Sequence, residues 1–148
     1  MNDVLCEILG LKNLELVESA ECVVPMARIG EIDECNPINF AKLVSSKLNT
    51  TVRFVNAGTP IRRVAVCGGA GMSFLDDVIK CKADAYVTGD ISHHEMLEAK
   101  EKGISVAAAG HFETEYPAME YLRKRVANAF GDVETVLLKQ SNPVEFIG

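Results

Sequence analysis

From Arg63 onward the chain alternates short apolar runs with longer amphipathic stretches, and that alternation leaves few folds open. Val64-Ala-Val-Cys67, Ala85-Tyr-Val-Thr88 and the run Ile104 to Ala109 are each too short for a helix, and each is followed at once by glycine. They read as buried strands. Between the first two, Ser73 is placed to cap a helix running to about Lys82, with Phe74, Val78, Ile79 and Cys81 on its apolar side. A second helix is expected from about Ser92, with Met96, Leu97 and Ala99 inward and Glu98, Lys100, Glu101 and Lys102 outward. Gly103 is its stop signal. A third, from Thr114 to Phe130, carries Ala118, Tyr121, Leu122, Val126 and Ala129 at spacings of three and four, with Pro117 tolerated only in its first turn. Val133 to Leu138 is expected to be a last strand before Pro143. Strand-helix repetition of this kind predicts an α/β fold: a largely parallel or mixed sheet with flanking helices, layered αβα.

Residues 1–62 are less regular and read as part of the same unit, ahead of a βαβαβαβ region over 63–148. Asp3 to Leu9 reads as a short helix, and Ala20 to Ile32 as extended segments broken at Pro25 and Gly30. Asn36 to Leu48 is a helix capped by Asn36 with Pro37 at its first position. Thr51 to Val55 is a strand and Gly58-Thr-Pro60 a turn. No linker, low-complexity segment or repeat stands out.

The chain's 148 residues, 48% hydrophobic and 24% charged, suit one soluble domain with a real core. A net charge of -6 argues against binding a nucleic-acid backbone, and Arg123-Lys124-Arg125 reads as one solvated helix face. No apolar run approaches a membrane span, and Met1-Asn2-Asp3 does not begin a signal peptide. Cys6, Cys22, Cys35, Cys67 and Cys81 are scattered and never spaced as CxxC. They read as reduced packing residues of a cytoplasmic protein. Cys67 borders a glycine loop, but nothing in the sequence would lower its pKa.

The three strands end in Gly68-Gly-Ala-Gly71, in Gly89-Asp90 with His93-His94 close behind, and in Gly110-His111-Phe-Glu-Thr-Glu115. In a parallel sheet all three loops emerge on one edge, where open α/β sheets carry their chemistry. His111 and Glu115, on the turn between strand and helix, have the residue types to meet one divalent ion. The bland alternative is an ordinary loop histidine and an acid favoured by the helix dipole. The glycine loop is either an anion cradle built from backbone N–H groups or a tight turn without a ligand. It is not a phosphate-loop motif, and Phe74 stands in the place of a third dinucleotide-binding glycine. His93 and His94 must point about 100° apart, so only one readily faces the active edge. Asp90 has three readings: ligand, partner of a histidine, or helix cap.

Val66-Cys-Gly-Gly-Ala-Gly71, Ala83-Asp-Ala-Tyr-Val-Thr-Gly-Asp90 with His94, Ala109-Gly-His-Phe-Glu-Thr-Glu115 and Asn142-Pro-Val-Glu-Phe-Ile147 occur in that order. Together they resemble the carboxyl-terminal half of the NGG-interacting-factor-three-like dinuclear metal proteins, some called GTP cyclohydrolase I type 2-like. The resemblance implies an α/β protein that assembles as a homo-oligomer and holds two divalent ions, zinc, iron or manganese. His111 and Glu115 would be ligands, His94 a proton-transfer group, and Asp90 a pocket residue. Gly68, Gly69 and Gly71 would contact a nucleotide or other phosphorylated small molecule. The family's remaining ligands, a histidine pair and an aspartate, lie in its amino-terminal half, and Asn2 to Gly10 resembles the segment just after that aspartate. The resemblance therefore implies an incomplete metal site in this chain, and an apolar face free for self-association.

Two functions of different classes follow: a metal-dependent hydrolase, GTP cyclohydrolase-like, or a non-enzymatic protein-interaction, metal-carrier or regulatory protein. Neither needs a membrane or direct contact with nucleic acid.

Overall fold

The computed structural model describes residues 1–19 and 26–145. In chain order its elements are α1 (Asn2–Leu9), β1 (Lys12–Leu16), β2 (Arg28–Cys35), α2 (Pro37–Leu48), β3 (Arg53–Val55) and β4 (Ile61–Cys67). A single 3-10 turn, Met72–Phe74, leads into α3 (Leu75–Lys80), followed by β5 (Ala85–Thr88), α4 (His93–Glu101) and β6 (Ser105–Ala108). The last helices are α5 (His111–Glu115) and α6 (Pro117–Ala129). The strands form one mixed sheet in the order β1-β2-β4-β5-β6-β3. The central neighbours β4, β5 and β6 are parallel, while β1, β2 and β3 join antiparallel at the two sides.

Period-two alternation divides the apolar runs between two cores. Val64, Val66, Ala85, Val87 and Ala107 pack with Leu5, Leu9, Phe40 and Val44 of α1 and α2. Ala65, Cys67, Tyr86, Val106 and Ala108 pack with Leu75 and Val78 of α3 and Ala99 of α4. This is the αβα layering expected from the sequence. Each fully buried valine or leucine contributes about 1.5–3 kcal/mol relative to exposure.

Local signals bound α2 and α4 where the sequence places them. The Asn36 side chain accepts from the Asn39 N–H at 2.9 Å, with Pro37 following. Ser92 and Glu95 form a reciprocal capping box at α4. Gly103 takes φ 74°, and the Gly103 and Ile104 N–H groups reach back to the Lys100 and Ala99 carbonyls, a Schellman ending.

Several expectations do not hold. Ser73 caps nothing, because Met72–Phe74 is a 3-10 turn and the first residue of α3 is Leu75. Leu97 is half exposed, since the short α4 buries only Ala99 fully. The segment Val133–Leu138 forms no strand, and Val133, Val136 and Leu138 are exposed. The third helix is two helices meeting at Tyr116, and the first begins at His111 rather than Thr114. Tyr121, Leu122 and Val126 of α6 are exposed, leaving Ala118 as its buried residue. Strand β1 has only a brief polar–apolar alternation, Asn13 to Leu16, too short to announce a strand, and all five of its residues are exposed. Strand β2 runs through Gly30, where a side chain would strike Leu14 Cδ2 at 2.7 Å. The expected extended stretch Ala20–Pro25, Cys22 within it, and Phe146–Ile147 lie outside the described residues. Of the other cysteines, Cys6 and Cys67 are buried and Cys35 and Cys81 half-buried, all as free thiols. Among the described residues no helix is long and apolar enough to cross a membrane.

Candidate functional site

Because β4, β5 and β6 are parallel neighbours, the loops that leave them meet at one edge of the sheet. The meeting is stitched by hydrogen bonds. Gly69 carbonyl accepts from the N–H groups of Gly89 and Asp90 at 2.9 and 3.0 Å, and the Gly89 carbonyl accepts from Gly110 N–H at 3.1 Å. Thr114, buried in α5, takes the Gly69 N–H on its hydroxyl at 3.0 Å, with the Gly110 carbonyl 2.8 Å away as an acceptor.

Gly89 has no room for a side chain. A Cβ there would lie 2.7 Å from the Gly69 carbonyl oxygen and 2.9 Å from His111 Cα. Gly69 meets the chemistry directly: it has φ 68°, and a Cβ would stand 2.5 Å from Glu115 Oε1 and 3.3 Å from His111 Nε2. The glycine loop is thus the floor under His111 and Glu115. Its N–H groups are committed inward, Gly68 to Asn2, Gly69 to Thr114 and Gly71 to Thr88. None of those three is free to cradle an anion, which favours the tight-turn reading of the loop.

His111 and Glu115 are the first and last residues of α5, one helical turn apart and therefore on one face. His111 Nδ1 lies 2.6 Å from Asp90 Oδ2, and Nε2 lies 3.4 Å from Glu115 Oε2. Of the three readings of Asp90, the geometry selects partner of a histidine. All three side chains are about half exposed to solvent. The Asp90 hydrogen bond, joined by the charges of Glu115 and Asp90, holds the His111 pKa above its ordinary value against a smaller opposing effect of burial.

This donor set fits one side of a divalent-metal site. A carboxylate on Nδ1 fixes the imidazole and leaves Nε2 beside a second carboxylate, the usual outer support of a metal-ligating histidine. Two donors do not make a full coordination shell, and among the described residues no cluster of three or more His, Cys, Asp or Glu is placed to hold an ion.

A cleft of about 720 Å³ opens beside this edge, with Asp90, His111 and Glu115 in its lining. Phe112 and Tyr116 of α5 also line it, stacked at 4.7 Å. The far wall is the chain after α6: Gln140 N–H donates to the Tyr116 hydroxyl at 3.3 Å and Asn142 donates to Glu113 Oε1 at 2.7 Å. Glu113 Oε2 is buried with no hydrogen-bond partner among the described residues. His94 is exposed on α4 and is not part of the cleft lining. Sequence reasoning overlooked Thr51 and Arg53, which line the cleft from beside β6, and Thr114. The only sequence signal for Arg53 is a cation opening a short strand.

Comparison with known proteins bears on the family and the fold. Residues 1–143 match the family model Duf34/NIF3, NGG1p interacting factor 3. A Clostridium perfringens GTP cyclohydrolase 1 type 2 homolog is 30% identical across 99% of this chain and 59% of its own length. A Pseudomonas aeruginosa protein of the same name is 36% identical across 72% of this chain and 42% of its own. The chain thus spans about half the length of these relatives. Protein ybgI, a solved structure described as of unknown function, superposes with TM-score 0.84 at 27% identity over 97% of this chain and 56% of that one. A Bacillus cereus protein related to NIF3 shares the fold, with TM-score 0.80 at 18% identity over 99% of this chain and 69% of that one.

Proposed function

The chain belongs to the Duf34/NIF3 family, and from that premise we propose that it is a metal-binding protein of a dinuclear hydrolase type. The substrate class is a nucleotide or other phosphorylated small molecule, as the GTP cyclohydrolase name of its relatives suggests. The observation that carries the reading is the Asp90–His111–Glu115 arrangement, which leaves Nε2 and a carboxylate oxygen side by side.

His111 and Glu115 would hold the metal, zinc, iron or manganese, with the further ligands of a two-ion centre coming from outside the described residues. Held by these two residues, such a metal would supply Lewis-acid chemistry, activating water and polarising a bond to be cleaved. Asp90 fixes the His111 ring, and Gly69 keeps space beside both ligands. His94, exposed on α4 outside the cleft lining, is the candidate proton carrier on the family resemblance alone. The exposed apolar residues Tyr121, Leu122, Val126 and Phe130 support a homo-oligomer. Together with a two-donor metal site, they also favour the second reading, a partner-binding or metal-carrying protein without catalysis.

Equilibrium dialysis against zinc, manganese and ferrous iron tests the metal. Retention that His111→Ala and Glu115→Ala abolish is expected, and retention that ignores both substitutions overturns the reading. For catalysis, His94→Gln should alter the pH–rate profile of nucleotide hydrolysis; an unchanged profile rejects His94 as the proton carrier. Metal retention without turnover on any nucleotide leaves the carrier reading in its place.

A further inference from the structure

We propose that Arg53 is the anion-recognition residue of the cleft, so that the site takes a small molecule bearing a phosphate or carboxylate group. The inference rests on reading the cleft as a substrate site and is independent of whether a metal binds there.

Topology puts Arg53 at the active edge. Strand β3 runs antiparallel to β6, and its first residue, Arg53, pairs with Ala108. Ala108 lies three residues before His111 in the chain. Directly paired residues of an antiparallel ladder project from the same face. That face is the one carrying Val55, Val106 and Ala108 in the core packed by α3 and α4. Arg53 and Ala108 both line the cleft.

Charge separates Arg53 from the molecule's other arginines. Arg28, Arg62, Arg63 and Arg123 each pair with a carboxylate: Asp3, Glu31, Glu15 and Glu120. Arg125 lies 5.9 Å from the centre of the Tyr121 ring. Among the described residues Arg53 has no such partner, although Asp90, Glu113 and Glu115 line the same cleft. Those carboxylates are engaged elsewhere, Asp90 and Glu115 with His111 and Glu113 with Asn142. The cleft therefore carries both signs of charge. Its carboxylates and imidazole suit cations, and Arg53 adds a planar guanidinium whose donor fork matches phosphate and carboxylate oxygens. Phe112 and Tyr116 supply apolar wall in the same lining.

The test is a titration of isotopically labelled full chain, in buffer freed of metal by a chelating resin, with phenyl phosphate, benzoate and phenol. These probes share a ring and differ in the anion. Phenyl phosphate or benzoate should shift the amides of Arg53, Gly110 and His111, and whichever binds more tightly identifies the oxyanion class. Arg53→Gln should weaken the anionic probes by about tenfold or more, while Arg53→Lys retains part of the affinity and phenol is unaffected. Phenol binding as tightly as the anions, equal losses for all three probes in Arg53→Gln, or no shift of those amides with any probe overturns the proposal. Because this titration excludes metal, it is read beside the dialysis: anion binding through Arg53 together with no metal retained in dialysis would sink the metal reading alone. Metal retention without anion binding would sink this one alone.

Discussion

Asp90 Oδ2 and His111 Nδ1 are 2.6 Å apart, a contact that joins the loop after β5 to the first residue of α5 and leaves Nε2 as the ring nitrogen beside Glu115. If Asp90 positions the imidazole, Asp90→Ala should weaken zinc binding by about 10–100-fold, the usual effect of removing such a support. Asp90→Asn keeps an oxygen that accepts from Nδ1–H and should lose much less. Calorimetric zinc titration of both variants checks this, and equal losses would deny Asp90 a positioning role.

The same contact gives a pH dependence. Folding raises the His111 pKa above 6.5, first through the Asp90 hydrogen bond. A raised pKa means that the folded state favours the proton. The resulting stabilisation is fully present below the unfolded value, near pH 6.5, and disappears as pH climbs through the folded value. The Tm difference between the native chain and His111→Gln should therefore shrink as pH rises across that window. Because His111 is half exposed, the effect is small and screened by salt. A difference that grows with pH would contradict the arrangement.

Gly69→Ala should damage the site more than the fold. The αL backbone at φ 68° costs an alanine about 1–2 kcal/mol. Its Cβ would meet Glu115 Oε1, the free end of a long side chain, which can swing aside. The cost of relief is the pairing of Glu115 with His111. Urea unfolding should show a modest loss of stability, and zinc retention a larger one. Intact zinc retention would mean that Glu115 is no ligand.

What the sequence made legible was whatever depends on neighbours along the chain. The short apolar run Val64–Cys67, the caps at Asn36 and Ser92 and the stop at Gly103 are local, and each appears in the fold. The four-residue spacing of His111 and Glu115 is legible too, although a five-residue helix is too short for periodicity to reveal, so the sequence there reads as a turn. Contacts across long separations were not legible. Asp90 had three roles open until a residue 21 positions away selected one. Val133–Leu138 has strand-like composition, but a strand needs a partner, and the sheet's two edges are β1 and β3. Periodicity in α6 identified its apolar face without saying what covers it.

That apolar face yields a measurement of its own. Tyr121, Leu122, Val126 and Phe130 are each between a third and three-fifths exposed, at helical or near-helical spacing. Covering such side chains in an interface gains about 25 cal/mol for each Å² of apolar area removed from water. Sedimentation velocity should find the native chain associated, and Leu122→Glu should shift it toward monomer without lowering Tm by more than a few degrees. A native monomer would remove this surface as an interface between copies.

Thr114 is the buried side chain on which the edge depends. Its hydroxyl accepts the Gly69 N–H at 3.0 Å and lies within donor reach of the Gly110 carbonyl at 2.8 Å and the His111 carbonyl at 3.0 Å. Valine has nearly the same shape but no hydroxyl, so Thr114→Val strands a buried N–H with no partner. That omission costs about 1–3 kcal/mol. Serine keeps the hydroxyl and loses one methyl, worth about 0.8 kcal/mol. Chemical denaturation should therefore rank the native chain first, Thr114→Ser next and Thr114→Val last. Hydrogen exchange should show the Gly69 amide losing protection in the valine variant while staying protected in the serine one. If valine leaves that amide as slow as in the native chain, the Gly69–Thr114 bond is not what fastens α5 to the glycine loop.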